Sequence, residues 1–307
     1  MALKYVYITL FLAVVIPMMA MAENTIETDS DKYILVWHDE FNDSVLDEQT
    51  WNIEVNGNGG NNAELQYYQR SNVSISTEQN QSCLVLTARK QVSNGKKFTS
   101  GRINSEQKVY FTYGKIESRI KMPVTANGLW PAFWLLGSNY RDVGWPRCGE
   151  IDIVEMGNAQ GIKDGLQSCY FNGACHWGYY NDKGEYPNYA LHNVCPYNIQ
   201  DGEFHLFTIE WTDKMIKIYL DRDKNPNVNP YFQIGIDDAS NQWATGRYFR
   251  HDFYLVYDLA VGGYFTGILN PDGISALDHG EARMYIDYVR VYQKLSTQNI
   301  IIPIKKN

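Results

Sequence analysis

Positive charge is scarce in this chain. Against 35 Asp and Glu stand 27 Lys and Arg, a formal net charge of −8. A nucleic-acid partner needs a basic surface, so the sign argues against that class, and against anionic galactans as well. Beyond residue 22 no run is apolar enough to span a bilayer. No long stretch keeps a helical period and no segment repeats, which argues against helical and repeat architectures. Cysteine is sparse and odd in number, with five residues, so at least one thiol stays unpaired. Their spacing lacks the paired short-range motif of a zinc site. Cys83, ahead of Leu84-Val85-Leu86, reads as a small buried hydrophobe. One disulfide is expected among Cys148, Cys169, Cys175 and Cys195, with the pairing left open.

The first 22 residues do carry a long apolar run, preceded by Lys4 and ending in Ala20-Met21-Ala22. This reads as a signal peptide, giving an exported protein, secreted or periplasmic, with no membrane span once the leader is removed. No Cys sits at the cleavage point itself, so a lipoprotein is not expected. Residues 23–34 read as a linker, 35–293 as one domain and 294–307 as a tail.

Within the domain, short alternating segments recur: Cys83–Arg89, Val109–Met122, Gly149–Glu155, Phe204–Trp211, Met215–Leu220, Phe253–Val261 and Arg283–Tyr292. In Met215–Leu220, Ile216, Ile218 and Leu220 make one apolar face with Lys217 opposite. Gly, Asn and Asp punctuate the gaps. The pattern predicts an all-β fold, a jelly-roll sandwich of two antiparallel sheets; a monomer is the expected state. Asn181–Cys195 and Asp221–Arg247 read as long loops. His205 shares a face with Phe207, Ile209 and Trp211 and reads as a core histidine.

The densest chemical signal is Gly149-Glu150-Ile151-Asp152-Ile153-Val154-Glu155. Strand alternation puts Glu150 and Asp152 on one face and Ile151 and Ile153 on the other. Glu155 is then out of phase, unless a one-residue bulge at Ile153-Val154 returns it to the acidic face. Three carboxylates on one face repel each other, which is costly without a task. Glycosidic bond cleavage is such a task, because it uses two carboxyl groups as nucleophile and general acid/base. Glu150 and Glu155 have Cα atoms about 13 Å apart, a gap two long side chains can close. The competing reading is an acidic face turned to solvent, which the aromatic neighbourhood contradicts.

That neighbourhood is Gly128-Leu129-Trp130-Pro131-Ala132-Phe133-Trp134-Leu135-Leu136-Gly137, then Trp145-Pro146, then the acids. With Trp37-His38-Asp39-Glu40-Phe41, Asn62-Ala63-Glu64-Leu65-Gln66-Tyr67-Tyr68, Thr99-Ser100-Gly101-Arg102-Ile103 and Leu259-Ala260-Val261-Gly262-Gly263, it resembles family 16 of the glycoside hydrolases. Within that family it is similar to bacterial laminarinases, which are endo-β-1,3-glucanases. The likeness covers roughly residues 35–293. It implies Glu150 as nucleophile, Glu155 as general acid/base and Asp152 as the orienting acid. It further implies that Trp130 and Trp134 stack on glucosyl units, that Arg102 and Asn62 meet sugar hydroxyls, and that His176 borders the leaving group. Arg102 has a second reading, an ion pair with a nearby acid. Two departures stand out: Ala63 separates Asn62 from Glu64, and Asp258 replaces the usual Asn. An Asp258 facing the cleft adds a fourth acid. No cofactor is implied for catalysis. Some members bind one structural calcium, at positions matched here by Glu40 and Asp287. The substrate expected is a laminarin-type β-glucan. The alternatives are a mixed-linkage β-1,3-1,4-glucan and a non-catalytic role in β-1,3-glucan binding.

Overall fold

The computed structural model describes residues 32–295 together with Ile300 and Ile301. The expected leader and its cleavage point lie outside these residues. Two sheets face each other across one core. The first runs in the order Asn188–Val194, Tyr170–His176, Glu150–Met156, Leu129–Gly137, Phe253–Val261, Arg102–Asn104, Asn52–Ile53, all antiparallel. The second centres on the long strand Glu281–Lys294, flanked by Gly114–Lys121 on one side and Gln81–Arg89 on the other. One pair in it is parallel, Gln66–Tyr68 with Phe98–Ser100. Among the described residues no helix is long and apolar enough to cross a membrane.

Alternation explains how the layers form. Gly114–Lys121 buries every second residue, including Ile116, Ser118 and Ile120, and turns Lys115, Glu117, Arg119 and Lys121 outward. Phe253–Val261 is the centre of the other sheet and is buried throughout, as a strand covered on both faces must be. Its residues Phe253, Leu255, Tyr257, Leu259 and Val261 enter the core between the sheets. There Phe133 stacks on Tyr257 with ring centroids 4.4 Å apart, and the Tyr257 hydroxyl donates to Ser118 on the facing sheet at 2.8 Å. Its remaining residues look out over the other face of the sheet, where the cleft lies.

Met215–Leu220 and Phe253–Val261 appear as expected, and the other expected strands shift by a few residues. Val109–Met122 is interrupted at Thr112-Tyr113, where Tyr113 adopts φ 63°. Two expectations are corrected. Both presumed loops hold a strand: Asn188–Val194 is an edge strand whose half-exposed polar residues hide the alternation, and Phe232–Gly235, within 221–247, pairs antiparallel with Met215–Leu220. All five cysteines are free thiols. Cys169 and Cys195 lie at the ends of adjacent strands, joined through their backbones at 2.9 Å, without a bridge. His205 is buried between Asp221 at 2.7 Å and Asp201 at 3.2 Å, as a satisfied core histidine should be. In the tail, Ile300 pairs with Phe111 and Ile301 with Tyr110.

The bulge lies where the acidic motif requires it. Asp152 pairs with Ala174 and Glu155 with Asn172, so Ile153 and Val154 together oppose Gly173. Both extra-step side chains enter the core, and Glu155 returns to the face of Asp152. The Ile153 carbonyl accepts a hydrogen bond from the Tyr231 hydroxyl. A Cβ on Gly173 would approach the Asp152 carbonyl oxygen to 3.3 Å and Phe232 Cβ to 3.1 Å, so the crowding favours glycine there. Tyr231→Phe leaves a buried carbonyl short of a partner, and stability should fall by about 1–3 kcal/mol. Thermal unfolding measures it; an unchanged midpoint would remove this bond from the account.

Candidate active site

Sheet register assembles the site in three rungs running across the strands. The first passes through His192, Asn172, Glu155, Ala132, Asp258 and Arg102. The second holds Ala190, Ala174, Asp152 and Trp134, ending at Asn104 and Asn52. The third holds His176, Glu150, Leu136 and Tyr254. All of these residues line one open cleft of about 1230 Å³. The small side chains of Ala132, Ala174 and Ala190 leave the floor open beside the acids. Trp130 and Phe265 stand at one wall, and Trp145, Tyr180 and Tyr186 at the other.

Each of three indoles serves one acid. Trp145 Nε1 donates to Glu150 Oε2 at 3.0 Å, Trp130 Nε1 to Glu155 Oε1 at 3.0 Å, and Trp134 Nε1 to Asp258 Oδ1 at 2.6 Å. Asn172 Nδ2 holds the other Glu155 oxygen at 2.6 Å. His176 Nε2 stands 3.2 Å from Asp152 Oδ2 and 3.9 Å from Glu150 Oε1, while its Nδ1 meets the Tyr186 hydroxyl at 3.2 Å. Glu150, with its side chain 17% exposed, remains reachable from the cleft.

Burial sets the acid–base behaviour. It pushes Glu150 up to about 8, helped by the charge of Asp152 and opposed by His176. Burial and Asp152 likewise push Glu155 up to about 8, against the opposing pull of His176, Asn172 and Trp130. Asp152 lies well above the usual carboxylate range through burial, then through Asp258. Asp258 is pushed up to about 7 by burial, with Arg102 pulling it back. A carboxyl group that keeps its proton near neutrality can act as a general acid.

The sequence-derived residues all reach the cleft except the two assigned to metal. Arg102 is held by Glu54 at 2.9 Å, so its ion-pair reading is the one observed, and its guanidinium lies 5.0 Å over Trp134. Burial pulls its pKa down, but Glu54 and Asp258 more than compensate. Trp130 is stacked on Phe265 at 4.6 Å, so one face of each tryptophan is already covered. Asn62 sits on the rim with Nδ2 3.5 Å from Glu64 Oε1. The intervening Ala63 takes φ 59°, which fits a tight loop turn. Glu40 is clasped by Arg290 through two bonds of 2.8 Å, and Asp287 by Arg119 at 2.6 Å. Each carboxylate thus has its own arginine; these donors fit ion pairs rather than a shared calcium, and no step below uses one.

Sequence reasoning missed Glu54, Glu64, Asn172 and the acid-binding role of Trp145. Glu64 is buried, bonded to Gly60 N at 2.7 Å, Gln66 Nε2 at 2.6 Å and Tyr68 Oη at 3.1 Å. Asn172 was accessible: it shares the alternation Asn172, Ala174, His176 with a residue already singled out.

Asp258 offers a test of this electrostatic picture. Its folded pKa lies above the unfolded value of about 3.9, so its stabilising contribution is complete below that pH and is lost as pH rises towards 7. Asp258→Asn keeps an acceptor for Trp134 without the charge. Its thermal midpoint should match the parent near pH 4 and exceed it above pH 7, by about 1–3 kcal/mol in stability. A difference that does not change with pH would contradict the assignment.

Comparison with known proteins agrees with this geometry. Residues 59–233 match the family described as glycosyl hydrolases family 16. The chain is 33% identical to the clotting factor G alpha subunit of Tachypleus tridentatus over 87% of its own length, spanning 35% of that protein. A family 16 structure from Bacteroides ovatus, of a mixed-linkage glucan system with bound product, is 36% identical with a TM-score of 0.72, covering 86% of this chain and 99% of that one. The laminarinase catalytic domain of Thermotoga maritima is 34% identical with a TM-score of 0.70, covering 86% of this chain and 100% of that one. Other relatives are named as a glucan endo-1,3-beta-glucosidase, an endo-1,3-1,4-beta-glycanase and a beta-1,3-glucan-binding protein. The chain therefore belongs to family 16 of the glycosyl hydrolases, with the jelly-roll fold of that family's endoglucanases.

Proposed function

We propose that this protein is an exported, retaining endo-β-1,3-glucanase acting on laminarin-type glucans. The observation that carries the reading is the bulge, which sets Glu150 and Glu155 on one face beside Asp152 in an open cleft. In the proposed reaction Glu155 protonates the glycosidic oxygen as Glu150 attacks the anomeric carbon, giving a covalent glycosyl-enzyme. Glu155, now a base, takes a proton from water, which releases the sugar and restores both groups. Asp152 and His176 adjoin the nucleophile and hold its surroundings. The division of roles between the two glutamates follows the family resemblance, because both carry indole donors and similar proton affinities. No cofactor is needed for these steps.

Two observations favour a second substrate and argue against a binding-only role. Similarity to the Bacteroides ovatus mixed-linkage protein supports tolerance of β-1,3-1,4-glucan. The complete set of acids argues for catalysis over glucan binding alone. Incubation with laminarin and barley glucan, followed by product analysis, distinguishes the three readings. Short β-1,3-oligosaccharides with initially retained anomeric configuration support the proposal. Faster release from barley glucan moves the specificity, and binding without cleavage rejects hydrolysis.

The roles separate by leaving group. Glu150→Gln should lower turnover by about 10³-fold or more on every substrate. Glu155→Gln should lose a similar factor on polysaccharide but far less in forming the glycosyl-enzyme from an aryl glycoside, whose leaving group needs no proton. Equal losses in that step would reverse or reject the assignment.

A further inference from the structure

The corner of the cleft formed by His176, Asp152 and Glu150 has unused ligand capacity. One ligand atom from each lies within 4.8 Å of the other two. Asp152 Oδ2 is fully enclosed and makes no hydrogen bond, although His176 Nε2 stands only 3.2 Å away. The short separation without hydrogen-bond alignment leaves Asp152 Oδ2 without a donor. Their neighbours orient them. The Tyr186 hydroxyl meets His176 Nδ1, so a proton on Nδ1 leaves the Nε2 lone pair turned inward. Trp145 occupies Glu150 Oε2 and leaves Oε1 as the oxygen that faces His176.

We propose that this corner is an inhibitory site for a divalent transition-metal ion of zinc's class, held by His176 Nε2, Asp152 Oδ2 and Glu150 Oε1. Tetrahedral zinc with bonds of about 2.0–2.1 Å places its ligand atoms about 3.3 Å apart. The two separations from His176, 3.2 and 3.9 Å, flank that value, and the whole set lies within 4.8 Å, so closing the site draws the two carboxylates together by up to about 1.5 Å, within the reach of a Glu150 rotamer change. One imidazole and two carboxylates suit zinc and its neighbours in the transition series, whereas calcium and magnesium favour more oxygen ligands. Three protein ligands leave a fourth position for water. The ion also offsets the repulsion between two adjacent acids. Bound there, it occupies a carboxylate oxygen of Glu150, the group the glucanase reading uses as nucleophile. The inhibitory half of the inference rests on that reading; the binding half does not.

Isothermal titration of the metal-stripped full chain with zinc chloride tests the site. One ion per chain is expected, with affinity lowered at least tenfold in His176→Asn and in Glu150→Gln. The exposed His279→Asn should bind as the parent does. Zinc should raise the apparent KM for laminarin, reversibly with EDTA, and magnesium should not. Circular dichroism confirms that each variant is folded. Absence of stoichiometric binding, or equal affinity in folded His176→Asn, overturns the site. Zinc binding by a protein that cleaves no glucan keeps the site and rejects the glucanase reading. Cleavage without zinc binding does the reverse.

Discussion

Three carboxylates within six residues can share a face of one strand only if the pleat slips once, and everything in the cleft depends on that slip. Without it Glu155 points into the core, where Ile151, Ile153, Val154 and Met156 now lie. With it, the same extra residue satisfies both sides: apolar groups continue inward and acids continue outward. The slip is supported from outside the strand. Gly173 makes room opposite it, and Tyr231 caps the carbonyl that the broken ladder leaves over.

The second constraint is electrostatic. Asp152, Glu155 and Asp258 are buried with little positive charge among them, since Arg102 is already shared with Glu54. Although they line the cleft, their burial leaves them too little water to stabilise full ionisation, which raises their proton affinity. Neutral donors take the place of counter-ions. Three tryptophans deliver one N–H each and surround the acids with apolar surface that further discourages charge. Aromatic rings in this cleft are therefore part of the acid–base chemistry as well as potential surfaces for sugar rings.

Much of this was legible in the chain. Alternation exposed strands such as Gly114–Lys121, because a strand buried on one face and wet on the other must alternate. It failed at Asn188–Val194, an edge strand whose two faces are both partly wet, so that polar residues fall on each. The motif containing Trp130 and Trp134 marked the cleft but not what the rings do there. An indole has a flat apolar face and a polar N–H, and composition does not reveal which one is used. Cysteines close in sequence to the acids suggested a bridge, yet proximity along the chain does not set the geometry a disulfide needs.

What the sequence determined by itself was local: the three acids, the bulge their spacing demands, the sandwich implied by repeated alternation, and the family. Tertiary structure decided who meets whom. Arg102 meets Glu54, Trp134 meets Asp258 from 124 positions away, and Tyr231 reaches Ile153 from 78. Such partners are set by sheet register and by how two sheets stack, which depend on the whole core at once. A residue's chemistry is written in its side chain, but its proton affinity and its role come from neighbours that only folding supplies.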